Sequence, residues 1–191
     1  MVMLSREAIE NMGFASVGDD AQISDRASFY GTGRITLGDN VRIDDFCVLA
    51  AGVGGISVGQ HVHIAVYSSL IGAGKITLSD FSGLSSRVSI YSSSDDYSGA
   101  TMTNPTIPSN YTGVIHSDVF LGRHVIVGSG SVILPGITLE DGVAVGALSL
   151  VTKSCEAFGI YIGNPARRIK EHRHDLLELE RRFVASKHQR V

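Results

Sequence analysis

The chain has 191 residues, a formal net charge of −3, 43% apolar residues and only 18% charged ones. That suffices for one core domain plus an appendage, and the weak acidic balance gives no global argument for nucleic acid as a partner. No run approaches the roughly 18 apolar residues that span a bilayer, so no membrane insertion is expected.

Residues 1–16 form an N-terminal helical segment. Within it, residues 5–12 read as a short helix with Ser5 as N-cap and Glu7 in the first turn. Its acidic residues do not suit a secretory leader, which fits a cytoplasmic protein.

From residue 17 the decisive signal is a period of six. An imperfect run, Val17, Ile23, Phe29, comes first. Four regular runs follow: Leu37, Ile43, Leu49; Val58, Ile64, Leu70; Leu78, Leu84, Ile90; and Leu121, Val127, Ile133, Leu139, Val145, Val151. The fourth residue after each aliphatic is small or β-branched, as at Val41, Cys47, Val62, Ser68, Val125, Ser131 and Cys155. The residue directly after is mostly small, as at Gly38, Gly59, Ala65, Gly122, Gly128 and Gly146.

Six is not a helical period, but it is even, so it suits strand alternation. A short strand and a corner per hexapeptide satisfy it, and three units close a triangular coil. One coil cannot bury its own aliphatics, so coils must stack. Cys47 and Cys155 fall at small inward places and read as core, with no ligand spacing and no disulfide framework.

The repeat halts between Ile90 and Leu121. This insertion, loop 91–118, is rich in Ser, Thr and Asn and contains Pro105 and Pro108, so it reads as a protruding functional arm. The coils resume and end near Pro165, which bounds a domain over 17–165. Residues 166–191 hold half of the 16 basic residues. They are expected to form a C-terminal helix, with Ile169, Leu176, Leu179 and Phe183 as a packing stripe.

The series LGDNVRIDDFCVL, VGQHVHIAVYSSL and LGRHVIVGSGSVILPGITLEDGVAVGALSLVTKS, closed by GNPARRIK, resembles the bacterial hexapeptide-repeat acyltransferases. The likeness is to the galactoside, maltose and streptogramin acetyltransferase group and to sugar acetyltransferases of surface-polysaccharide clusters. It implies an all-β fold, a left-handed parallel β-helix. It also implies acetyl-CoA or another short acyl-CoA as co-substrate, a sugar or nucleotide-sugar acceptor, no resident metal, and a homotrimer. A non-enzymatic scaffold and a zinc-dependent, carbonic-anhydrase-like protein are the alternatives.

No GxSxG elbow suggests a covalent route, so the acceptor is expected to attack the thioester directly. In the resembled enzymes a loop histidine is the general base. Here that position falls near Asp95, a weaker base that can still orient an amine or take a proton from an ammonium, and the leading base assignment moves to His63, since imidazole titrates closest to neutrality. His116 is second. His61 and His124, at the corner place of Asn40, read as structural, and His172, His174 and His188 as solvated. Asp44, Asp45, Asp96 and Tyr97 are the expected acceptor contacts. By the resemblance, Ser129, Gly130 and Ala147 lie along the pantetheine, while Thr152, Lys153, Arg167 and Lys170 lie near the nucleotide and its phosphates.

Overall fold

A computed structural model describes residues 1–188, with side chains as far as Ser186. Each hexapeptide folds as a short strand and a corner. The coils stack as a left-handed parallel β-helix of about seven turns, a three-faced prism. Face one holds six strands, from Ser16–Val17 to Thr138–Leu139. Face two holds eight, from Gln22–Ile23 to Arg167–Glu171. Face three holds six, from Ser28–Tyr30 to Leu150–Val151.

Every aliphatic of the four regular runs is buried, and so are the small inward residues such as Val41, Cys47, Ser68, Val125 and Cys155. Each fully buried Leu or Ile contributes about 1.5–3 kcal/mol, and stacking repeats that gain along the axis. Face one carries a second inward set that the count of six misses: Ile35, Ile56, Ile76, Val119 and Ile137. Longer turns enter this face before Ile35, Ile56, Ile76 and Val119, so those strands begin two residues earlier and alternation turns that residue inward as well; Ile137 is buried just ahead of Thr138–Leu139 without a longer turn.

Corners recur at the same place in each coil with left-handed backbone. One column is Asn40, His61, Phe81, His124 and Phe158; another is Phe46, Tyr67, Arg87 and Leu148. Stacked coils bring these side chains face to face. Phe81 lies 5.2 Å from both His61 and His124, and Phe46 lies 4.9 Å from Tyr67. The structural reading of His61 and His124 agrees with this ladder.

Helix α1 (Arg6–Asn11) starts at Ser5, whose Oγ accepts from Ala8 N at 3.2 Å. The long loop leaves and re-enters at one corner. Its neck is an antiparallel pair, Ser93–Ser94 with Ile115–His116, and Ser117 N donates to Ser92 O at 3.0 Å.

The tail differs from the single helix expected over 166–191. Arg167–Glu171 is a strand, paired antiparallel with Gly159–Ile162. It satisfies the open edge that the last coil leaves on face two. Helix α2 (Asp175–His188) follows, and residues 189–191 lie outside the described residues. The expected stripe therefore splits. Leu176, Leu179 and Phe183 face the His61–Phe81–His124 ladder, whereas Ile169 sits on the strand, half exposed. Glu180 ties α2 down by pairing with His124 at 2.6 Å and with Arg123. His172 and His174 are not simply solvated: His172 Nδ1 donates to Gly142 O at 2.8 Å, and His174 stacks on Phe158 at 3.9 Å. The His188 side chain lies outside the described residues. Among the described residues no helix is long and apolar enough to cross a membrane.

Candidate active site

Two clefts stand on adjacent faces. On face two, strand register places Arg42, His63, Gly83 and Ile126 side by side in successive coils. Gly83 has no side chain, so a gap opens between His63 and Ile126. That gap is the floor of a groove of about 290 Å³, bordered by Ala65, Ser85, Ser86 and Ser129. The structure thus brings together His63 and Ser129, assigned separately from sequence to base and donor roles.

The His63 side chain is half exposed, and its Nε2 lies 2.8 Å from Asp44 Oδ2. Asp44 is only 5% exposed, and its Oδ1 accepts from Arg42 Nε at 2.8 Å. Burial alone would push this carboxyl up. The hydrogen bonds and charges of Arg42 and His63 outweigh burial and hold it below the ordinary aspartate value. Asp45 points elsewhere, accepting from Ser24 Oγ with Arg26 at 3.8 Å. Neither carboxylate of the Asp44–Asp45 pair is presented freely to an acceptor. Asp44 reaches the groove through His63, and Asp45 is held by its own coil.

On face three, the base of the long loop forms a cleft of about 450 Å³ with Tyr91, Asp95 and Tyr97 on the loop side and Val132, Leu134 and Leu150 on the coil side. Asp95 is half-buried, and among the described residues no hydrogen bond or ion pair engages its carboxylate. Asp96 behaves differently. It accepts from Ser98 N at 2.8 Å and Thr101 Oγ1 at 3.0 Å, and the hydrogen bonds from Ser98 and Thr101 hold its carboxyl below the ordinary value. It shapes the loop. Tyr97 is 91% exposed. His116 bonds to Ser93 Oγ at 2.7 Å through Nδ1, so it closes the neck. Within one chain His63 and Asp95 do not meet, and His61, His63 and His116 occupy three separate places.

Of the residues expected along the donor, Ser129, Gly130 and Ala147 lie on the edge between faces two and three, Thr152 and Lys153 at the corner that follows face three, and Arg167 and Lys170 on the closing strand. Gly130 has φ +73° and stands in the corner column that carries Tyr67, Arg87 and Leu148 in other coils, so its missing side chain leaves the edge open beside Leu148. Ala147 is exposed one coil further on, and Thr152 and Lys153 are exposed on the corner after Val151. Arg167 and Lys170 are exposed on the closing strand. Among the described residues Lys153, Arg167 and Lys170 pair with no carboxylate. Arg168, in contrast, is bound to Glu156 at 3.0 Å and Glu171 at 2.6 Å. Burial pushes the Cys47 and Cys155 thiols up to about 11, which argues against a thiolate nucleophile.

Ser85 is the groove residue that sequence reasoning missed. It occupies the place directly after a buried aliphatic, where Ala65, Gly128 and Gly146 stand in other coils, and so reads as a mere small residue.

No protein-family model matches the chain. It is 54% identical over 186 residues, 97% of both chains, to the dTDP-4-amino-4,6-dideoxy-D-glucose acyltransferase of Escherichia coli. It is 42% identical to the N-acyltransferase AntD of Bacillus cereus, solved with dTDP and 3-hydroxybutyryl-CoA, with TM-score 0.94 over 97% of this chain and 98% of that one. A form of AntD with one serine replaced was solved with dTDP-4-amino-4,6-dideoxyglucose and coenzyme A, and it matches at TM-score 0.93 over 96% of this chain and 98% of that one. With a hexapeptide prism and likeness over nearly its whole length, the chain belongs to the acyl-CoA-dependent sugar acyltransferases of the left-handed β-helix class.

Proposed function

We propose that the protein acylates the amine of a nucleotide-linked amino sugar of the dTDP-4-amino-4,6-dideoxyglucose type, with acetyl-CoA as donor, inside a homotrimer. The observation that carries this reading is the unengaged Asp95 carboxylate at the loop-base cleft. An amino sugar arrives largely as its ammonium, and a carboxylate receives that group through a charge-assisted hydrogen bond. The activity of the Escherichia coli relative and the sugar nucleotide bound in the AntD variant support the same acceptor class.

The amine must shed a proton before or as it attacks the thioester carbon. One proton leaves the ammonium before attack; as the C–N bond forms and the C–S bond breaks, the nitrogen gives up a second, which passes to the departing coenzyme A thiolate. A carboxylate is a weak base toward an ammonium, whereas imidazole is well matched. Asp95 therefore orients the nitrogen and His63 takes its proton. Ser85 adds a hydroxyl beside His63, and the serine replaced in AntD supports attention to this residue type. Asp96 and Tyr97 frame the acceptor from the loop. Asp44 and Asp45 touch it only through their neighbours. Ser129, Gly130 and Ala147 border the pantetheine, while Thr152, Lys153, Arg167 and Lys170 surround the nucleotide.

Faces two and three of one prism point apart, so His63 and Asp95 join only when the loop of one chain lies across face two of another. A trimer of prisms allows this three times over. A cytoplasmic role in making sugar precursors for surface polysaccharides fits a donor and an acceptor that are both nucleotide-borne.

The test is thiol release and product mass with acetyl-CoA and dTDP-4-amino-4,6-dideoxyglucose. The expected product gains one acetyl group on nitrogen. Acylation of a hydroxyl-only sugar nucleotide, with the amino sugar left untouched, would overturn the reading.

A further inference from the structure

We infer that Asp44 is a positioning residue: it fixes which nitrogen of His63 carries a proton and so presents a defined ring to the face-two groove. This rests on the reading of His63 as the proton acceptor. The place after the buried aliphatic is small in the neighbouring coils, as Ala65, Ser85, Gly128 and Gly146. On face two Asp44 alone puts a carboxylate there, at 5% exposure. Burying a charge is costly unless it is paired and hydrogen-bonded. Here Arg42 Nε occupies one oxygen and His63 Nε2 the other, each at 2.8 Å.

An ionised carboxylate only accepts, so the Nε2 that faces it must carry hydrogen. Nδ1 is then the ring's basic nitrogen. Arg42 holds Asp44 from the opposite side, so the carboxylate cannot follow the ring if the ring turns. Without Asp44, a half-exposed imidazole is free to rotate and to exchange tautomers. A fixed tautomer matters because a proton acceptor in the wrong form offers no lone pair.

The experiment uses the full chain and four variants: Asp44→Asn, Asp44→Glu, His63→Ala, and Asp44→Asn with His63→Ala. Asp44→Asn should lower kcat about 10- to 100-fold, the range for loss of an orienting partner, with donor KM unchanged. In the His63→Ala background it should cost nothing further, because residues acting through one another are not additive. Nitrogen-15 NMR of the His63 ring should show the Nε2–H form in the wild type and a mixture in Asp44→Asn. Asp44→Glu keeps a carboxylate, and should restore the single form if Asp44→Asn folds poorly. An equal loss of kcat in both backgrounds, or an unchanged tautomer in Asp44→Asn, would overturn the inference. Wild-type turnover in His63→Ala refutes the proton-acceptor role instead, and the NMR result still decides whether Asp44 positions the ring.

Discussion

Replacing Arg167 and Lys170 by alanine is the sharpest probe of the donor end. Both side chains are exposed on the closing strand of face two, and neither is paired with a carboxylate among the described residues. Removing them therefore leaves the fold without an orphaned partner, and melting should hardly change. A phosphate contact at an exposed site is worth about 1 kcal/mol after screening by water. Each single variant should then raise donor KM about fivefold, and the double variant about 30-fold, at roughly 1.4 kcal/mol per tenfold. Because the nucleotide stays bound throughout the reaction, kcat should be unaffected. Thiol release at varied acetyl-CoA measures this directly. Two controls sharpen the result. Arg168→Ala should leave donor KM alone, because that guanidinium is already engaged by Glu156 and Glu171. An acyl-pantetheine donor, which lacks the nucleotide, should erase the difference between wild type and variants. Loss of kcat at constant KM, or an equal effect of Arg168→Ala, would refute the phosphate role.

Asp95→Asn should raise acceptor KM roughly tenfold or more, by loss of a charge-assisted hydrogen bond; unchanged acceptor kinetics would remove Asp95 from the site. Light scattering should give a trimer, and an active monodisperse monomer would sink the two-chain site. Leu84→Ala opens a cavity at a position 1% exposed, so unfolding should lose about 2–5 kcal/mol, read by denaturant melts. Burial pushes the Glu180 carboxyl up, but the hydrogen bonds and charges of His124 and Arg123 outweigh it and hold it below the ordinary glutamate value. Such a group stabilises the folded form above its unfolded pKa, and the stabilisation is lost as pH falls through the folded pKa. Helix α2 should therefore lose hydrogen-exchange protection on acidification below about pH 4.3, and Glu180→Gln should remove that dependence; protection of α2 that stays level with pH in the wild type would contradict the latch.

The coils were legible because the period of six is repeated: fifteen aliphatics in four runs leave one way to bury them all. Arg167–Glu171 was not, since its sequence, RRIKE, lacks alternation and becomes a strand only because the last coil offers an unpaired edge. The Asp44–His63 pair was hidden for a different reason. Its members sit 19 residues apart, nearly one coil, so they become neighbours only after the coil length is known. The signal was present nonetheless: Asp44 is a charged residue at a place that is mostly small. Ser85 gave no such departure. The proposed joining of His63 with Asp95 calls for a second chain, which no pattern within one chain encodes.

The neck of the long loop has a consequence for how such proteins diversify. Loop 91–118 exits and returns at one corner, clasped by Ser93–Ser94 against Ile115–His116 and by Ser117 N on Ser92 O. The coils above and below pair directly with each other, Ile76 with Val119 and Ile90 with Ile133, as though the insertion were absent. Doubling the length of a closed loop costs only about 0.6 kcal/mol. The arm is thus an exchangeable cassette: its tip can change in length and sequence while the prism keeps its pairing, so that, on the proposed reading of the loop, acceptor choice and folding evolve on separate tracks.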